Sequence, residues 1–295
     1  MHETPVSRAG FVIALASAIV FGLWPAAVRG IYTAGGDIVF ALLVLTWART
    51  LALCGFCLAT KRPLFVTREA VRQGLIGGFF QAVALVTLYA ALEYLPGPIA
   101  IIILFSYTLM LLFFMVWRGE MRLYKATVAT TVTALVGLAF VLDVWHHQNA
   151  ATIKGVALAF AAALASVGRF YVWGRQTKSR HPIIVGAESF LVAAVLISPA
   201  IFFGGHLPTT AKGEMFAFLG SAATSLAAFG MFYGVRLMGS FRWSLFAKME
   251  PVFTAIFSAL LLGEILKTGQ YIGIVIVLGS LALFQIFEQK RITAR

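Results

Sequence analysis

Charge is the scarcest property of this chain. Of 295 residues only 12% are Asp, Glu, Lys or Arg, against 61% that are hydrophobic, a balance foreign to soluble globular domains. Acids are scarcer still, with 11 Asp and Glu facing 23 Lys and Arg. Cysteine is almost absent: Cys54 and Cys57 stand at C-x-x-C spacing inside an apolar run, with no second pair to complete a metal set. They read as packing residues rather than a redox site. The five histidines (His2, His146, His147, His181 and His206) all lie outside the apolar runs or at their ends. There is no H-E-x-x-H, no pair of aspartates within apolar segments and no phosphate-binding glycine loop, so neither metal nor cofactor is expected and a membrane enzyme is poorly supported. A signalling bundle is disfavoured as well, for the span count and duplication described below exceed what it needs.

What remains is a series of about ten apolar stretches of about 18–25 residues, each long enough to cross a hydrocarbon core of about 30 Å. They fall at 8–31, 37–59, 70–95, 97–117, 124–144, 153–175, 182–203, 213–237, 243–262 and 270–287. The runs are continuous rather than alternating, which predicts helices and not barrel strands. The first run opens like a signal peptide, but no small-residue cleavage site follows a short core, so its retention is expected. The net charge of +12 raises nucleic acid as a partner, and its distribution argues against one. With the N-terminus placed in the cytoplasm, Arg29, Lys154, Lys212 and Lys267 are the only external basic residues, and Arg49, Arg169 and Lys248 lie within spans. The remaining sixteen of the 23 are cytoplasmic, the positive-inside pattern of ten spans with both termini inside.

The chain also repeats itself at an offset of about 144 residues. Phe113–Glu120 (FFMVWRGE) corresponds to Phe257–Glu264 (FSALLLGE), Tyr89 to Tyr233 and Gly30 to Gly174. Each Gly-Glu closes an apolar run. Five spans per copy is an odd number, so the copies must enter the membrane from opposite sides, as inverted repeats of residues 1–148 and 149–295. Gly119-Glu120 then falls on the cytoplasmic face and Gly263-Glu264 on the external one.

An ionisable group within a span costs about 2.5–3.5 kcal/mol at the helix centre, so each one needs a reason. Arg49 falls near the midplane and reads as a buried structural group capped by carbonyls. Arg169, Glu188, Lys248 and Glu250 all fall about 8–11 Å from the cytoplasmic side at the helical rise per residue. Lys248 and Glu250 are two apart and face different directions, so their partners are sought in Glu188 or Arg169. Three readings fit this group: snorkelling to the interface, a static ion pair, and a gate or substrate anchor. Pro25, Pro199 and Pro251 each leave a carbonyl without its helical donor (Phe21, Val195 and Ala247), and are candidate hinges. Gln81, Phe105, Tyr107, Ser225 and Phe229 lie near mid-depth, with Trp24, Tyr89 and Tyr233 towards the mouths. Aromatic rings beside hydroxyls and a few charges suit an organic solute with an apolar part and a charged part.

Two inverted five-helix copies, each closing its fourth span with apolar-Gly-Glu, resemble the drug/metabolite transporter superfamily, specifically its EamA-type members. Lys248-Met249-Glu250-Pro251-Val252-Phe253, running to Leu262-Gly263-Glu264, is similar to the second-repeat signature, and Phe21-Gly22-Leu23-Trp24 to the first-span pattern. Ser106-Tyr107 departs, standing where many members carry a proline, which argues against a kink matching that at Pro251. The resemblance implies a ten-helix carrier with a central cavity, working by alternating access, a monomer being sufficient. It is most similar to bacterial inner-membrane exporters of aromatic and other neutral amino acids. Alternatives are export of drugs or other small metabolites, or a non-transporting membrane scaffold or enzyme.

Overall fold

A computed structural model of the chain describes residues 8–146, 152–262 and 265–293. Gly263-Glu264, His2 and His147 lie outside the described residues, and nothing structural bears on them. Among the described residues the chain is all-helical: α1 (Arg8–Phe21), α2 (Trp24–Thr33), α3 (Ile38–Ala59), α4 (Arg68–Ala91), α5 (Gly97–Phe105), α6 (Tyr107–Trp117), α7 (Lys125–Val141), α8 (Ile153–Ser179), α9 (Pro182–Ile197), α10 (Ala211–Met238), α11 (Ser240–Phe246), α12 (Met249–Leu262) and α13 (Thr268–Thr293). A 3-10 turn, Ser198–Phe203, continues α9. Among the described residues eight segments are long and apolar enough to cross a membrane. α7 is shorter, at 17 residues, and the run expected as one span over 243–262 is two helices of 7 and 14 residues.

The helix starts follow from local side chains. Asp37 caps α3 by accepting from the Phe40 amide at 2.7 Å, and Thr67, Thr152 and Thr210 cap α4, α8 and α10 in the same way. Each relieves an amide that an apolar surround would otherwise strand.

The helix breaks also have local causes. Between α1 and α2, Gly22 and Leu23 leave the helix and Pro25 occupies the first turn of α2. A Cβ on Gly22 would meet the Phe253 Cβ at 2.7 Å, so only glycine lets α12 approach the break so closely. Pro199 opens the 3-10 turn. Pro251 sits in the first turn of α12, where its missing N–H costs least. The Ala247 carbonyl, expected to be free, instead accepts from the Glu250 amide at 3.0 Å. Span four also breaks without a proline. The Ser106 amide has slipped to the Ile103 carbonyl at 3.2 Å, and its hydroxyl donates to the same carbonyl at 2.6 Å. A serine bonding back onto its own helix competes with the backbone ladder and bends it.

Helix pairing crosses between the halves in exchanged fashion. α4 packs on α8 and α1 on α10; α4 packs on α9 and α3 on α10; α3 pairs with α9 and α7 with α13. Under a swap of the two five-span sets each contact maps onto another in the series or onto itself. The interior is built on rings: Trp173, Phe190 and Phe232 are fully buried, with Trp173 4.8 Å from Phe232 and its indole N–H donating to Ser189 Oγ. The outer surface is apolar, with Phe202, Phe203, Phe218, Leu58 and Trp117 among its exposed side chains, as a lipid-facing exterior requires.

Short ties hold the ends. Asp37 also accepts from the Gly205 and His206 amides at 2.8 and 3.0 Å, joining the turn after α2 to the segment after the 3-10 turn. Asp143, after α7, accepts from Lys267 at 2.6 Å. Glu120 of the Gly119-Glu120 pair accepts from the Tyr171 hydroxyl at 2.7 Å, with Arg175 at 3.4 Å, anchoring the end of α6 to α8.

Candidate functional site: a cationic cavity between the halves

A cavity with a volume of about 140 Å³, lined from both halves of the chain, holds most of the buried charge found within the spans. Its walls follow from helical spacing. Gln81, Leu85, Leu88 and Tyr89 on α4 recur at intervals of four, seven and eight, which puts all four on one face. Ala14, Ala18 and Phe21 do the same on α1. Three of the four helix breaks open onto it. Phe21 and Trp24 flank the first, Phe105 and Tyr107 the second, and Ala247 and Glu250 the third. Where a span breaks, the chain turns side chains of two registers towards the same space. The break at Pro199 contributes nothing to this lining.

Of the site residues expected from the sequence, Trp24, Gln81, Tyr89, Phe105, Tyr107, Arg169 and Glu250 share this cavity. Arg169 Nη1 donates to Gln81 Oε1 at 2.6 Å, and its guanidinium lies 5.0 Å from the Phe170 ring and 5.6 Å from Trp173. Phe170 in turn stacks on Tyr107, centroids 5.1 Å apart and planes 4° from parallel. The Trp24 indole stands against the Tyr89 hydroxyl. Glu250 feels the charge of both Arg169 and Arg49. Every one of these groups sits among rings, where a charge is poorly screened and a polar contact counts for more.

Arg49, read from sequence as structural, belongs in the lining too. Its Nε does donate to a carbonyl, that of Leu45 at 2.9 Å, and its guanidinium lies over the Phe190 ring at 5.2 Å. The signal that marked it was its position in mid-span; what sequence could not show is that the open side of the guanidinium faces a cavity. Trp243, Phe170, Phe190 and Met231 also line it and carried no signal that separates them from packing residues.

The expected cluster of four charges does not form. Glu188 pairs with Arg180, Nη1 to Oε2 at 2.7 Å and Nη2 to Oε1 at 2.6 Å, and accepts from the Phe65 amide at 2.7 Å. It is fully buried, holding the loop before α4 and the start of α9, and meets neither Lys248 nor Arg169. Depth along the axis placed these groups at one level; the direction in which each helix face points separates them. Lys248 is fully buried outside the cavity lining, donating to Thr108 Oγ1 at 2.7 Å, 5.9 Å from the Phe105 ring. Ser225, Phe229 and Tyr233 lie on α10 beyond the lining. Phe229 packs on Phe56 at 5.5 Å and Tyr233 on His181 at 5.9 Å, a second ring cluster where α9 begins. Burial, with Arg62 and Arg236 nearby, holds the His181 imidazole below its ordinary 6.5. Among the described residues no group of three or more His, Cys, Asp or Glu could hold a metal.

With this geometry in hand, residues 153–285 match the model of the EamA-like transporter family. That stretch covers most of the second expected repeat. No curated protein matches the chain. A solved crystal structure of a protein 17% identical in sequence superposes with a TM-score of 0.78 over 96% of this chain and 100% of its own. At that identity the likeness is one of fold.

Proposed function

We propose, from the premise that residues 153–285 form an EamA-like transporter domain in a multi-pass membrane protein, that this chain exports aromatic and other neutral amino acids across a bacterial inner membrane by alternating access. Residues 1–148 and 149–295 act as two inverted five-span repeats with both termini cytoplasmic, and the cavity between them is the carrier site. The exchanged pairing of α4 with α8 and of α1 with α10 supports two halves that rock against each other.

The observation that carries the reading is the content of the cavity. Its volume of about 140 Å³ is that of a single aromatic ring, since an apolar cavity of roughly 150 Å³ accepts benzene, whereas drug-sized ligands occupy roughly 300–1,000 Å³. Rings from Trp24, Tyr107 and Trp243 line it together with two guanidinium groups and one carboxyl. Arg49 and Arg169 suit the carboxylate of an amino acid, Glu250 suits its ammonium, and the rings suit its side chain. Pro25 and Pro251, at two of the breaks bordering the cavity, are the hinges; Pro199 lies away from it and serves as a hinge of α9 alone. Glu188 and Lys248 act through the helices they hold, closing the cytoplasmic side rather than touching solute.

A counterflow assay in proteoliposomes, run over a panel of amino acids, tests this directly. Phenylalanine and neutral relatives should exchange, Glu250→Gln should lose at least tenfold in phenylalanine flux, and Ser225→Ala, beyond the lining, should keep it. Full phenylalanine flux in Glu250→Gln, or no flux of any amino acid in the parent, overturns the reading.

A further inference from the structure

The cavity is not electrically balanced. Arg49 and Arg169 bring two positive charges to its walls, and among the described residues Glu250 is the one acid lining it. Guanidinium groups do not lose their protons in proteins, so the two charges persist. Among the described residues no carboxylate lies within 4 Å of either guanidinium: the carboxylates of Glu69, Glu120, Asp143, Glu188 and Glu288 are all engaged with other cations. Their hydrogen bonding is incomplete as well. Arg49 spends only Nε, on the Leu45 carbonyl, leaving both terminal nitrogens without a partner. Arg169 spends only Nη1, on Gln81, and its Nε is buried with no acceptor. Arg49 is only 8% exposed, and the access its guanidinium has is to the cavity it lines. The rings of Phe190, Phe170 and Trp173 supply cation–π contact in place of the missing partners. These are donors in fork geometry, desolvated and pointed at a ring-sized space, waiting for a planar anion.

A zwitterion brings no net charge and leaves the excess cation where it was. We infer that the cavity also carries, and prefers, ring-sized aromatic carboxylates that lack the ammonium group, because their net charge of minus one cancels the surplus guanidinium. The inference rests on the transport reading above and on the same cavity, but reassigns the amine from requirement to option. In a site with an effective dielectric of about 20, one uncancelled charge a few ångströms away is worth at least a tenfold preference after desolvation is set against it.

Three probes of one shape separate the possibilities: 3-phenylpropionate (anion), phenylalanine (zwitterion) and phenethylamine (cation), each competing for counterflow in proteoliposomes and each assayed for its own uptake. The expected order of potency is anion, then zwitterion, then cation, with about tenfold or more between the first two. Arg49→Gln and Arg169→Gln, checked as monodisperse in detergent, should abolish the advantage of the anion. Glu250→Gln should enlarge it while weakening phenylalanine, a divergence that a merely structural role would not produce. Transport of phenylalanine with no competition from 3-phenylpropionate leaves the amino-acid reading standing and sinks this one. Uptake of 3-phenylpropionate without phenylalanine does the reverse. If neither is bound or moved, both fall, and an anion advantage that survives in both arginine variants overturns the inference alone.

Discussion

Replacing Arg180 by glutamine strands a carboxylate in the protein interior. Glu188 is fully buried, and among the described residues the Phe65 amide at 2.7 Å is its only donor apart from the two hydrogen bonds from Arg180. Removing one member of such a pair costs about 3–5 kcal/mol, because the remaining charge keeps its desolvation penalty and loses its counter-charge. The surviving amide bond and the 22% exposure of the Arg180 side chain favour the lower end of that range. Glu188→Gln is a milder change. It removes the charge, lets the amide oxygen still accept from Phe65, and leaves an arginine near enough to water to be solvated, for about 1–2 kcal/mol. The double variant should resemble Glu188→Gln rather than the sum of the two, giving a coupling equal to the Arg180→Gln loss, about 3 kcal/mol. Denaturant unfolding of the four proteins in detergent measures all of this. If Arg180→Gln is as stable as the parent, or if the two losses add, the pair does not hold the α8–α9 corner and the reasoning fails.

Two further outcomes follow from other polar groups. Burial alone would raise the Asp37 carboxyl, but donation from the His206, Phe40 and Gly205 amides outweighs it and holds the group below its ordinary 3.8. A carboxyl lowered on folding stabilises above the unfolded value and loses that contribution as pH falls through the folded one. Asp37→Asn should therefore be about 1 kcal/mol less stable than the parent at pH 7, with the gap closing below about pH 4. An equal gap at pH 7 and pH 3 in detergent unfolding would show that the carboxylate charge plays no part in the tie. Thr108 accepts the hydrogen bond of buried Lys248, and its own hydroxyl donates to the Ser244 carbonyl at 3.3 Å. Thr108→Val should thus cost about 1–3 kcal/mol, and the double variant Thr108→Val, Lys248→Met should recover most of it, since an apolar side chain of similar length needs no partner. Thermal unfolding that ranks the double variant below the single one would refute this.

The helices were legible because each apolar run is long and unbroken, and the starts expected at 37 and 153 fall within one residue of the observed Ile38 and Ile153, each preceded by an Asp or Thr that caps it. Span nine reads as one apolar run because hydropathy averages across Ala247 and Lys248, and the bend expected from Pro251 is a full break between two helices. The kink at Ser106 escaped for a related reason: proline is a visible breaker, whereas a serine breaks a helix only if its hydroxyl turns back on the carbonyl three residues earlier. Seven of the expected site residues share the cavity, among them Gln81, Arg169 and Glu250, whose mid-span polarity needs a partner or an open space. Glu188 and Lys248 met the same criterion and lie outside the lining, bonded to Arg180 and Thr108. Depth comes from counting residues, but azimuth depends on how each helix is rotated against its neighbours, which no single segment encodes. Arg49 shows the opposite failure, since a carbonyl cap and a cavity-facing guanidinium are compatible in one side chain.

The breaks in spans four and nine differ in whether they can heal. At Ser106 the amide hydrogen is still present and has only shifted by one carbonyl, to Ile103, so a small rotation returns it to the α-helical partner and straightens the rod. At Pro251 there is no hydrogen to return, and the bend is permanent. Two walls of one cavity are thus hung on unlike joints, one that latches and one that does not. A rotation that lengthens the first-half wall has no counterpart in the second, so the two walls do not deform alike.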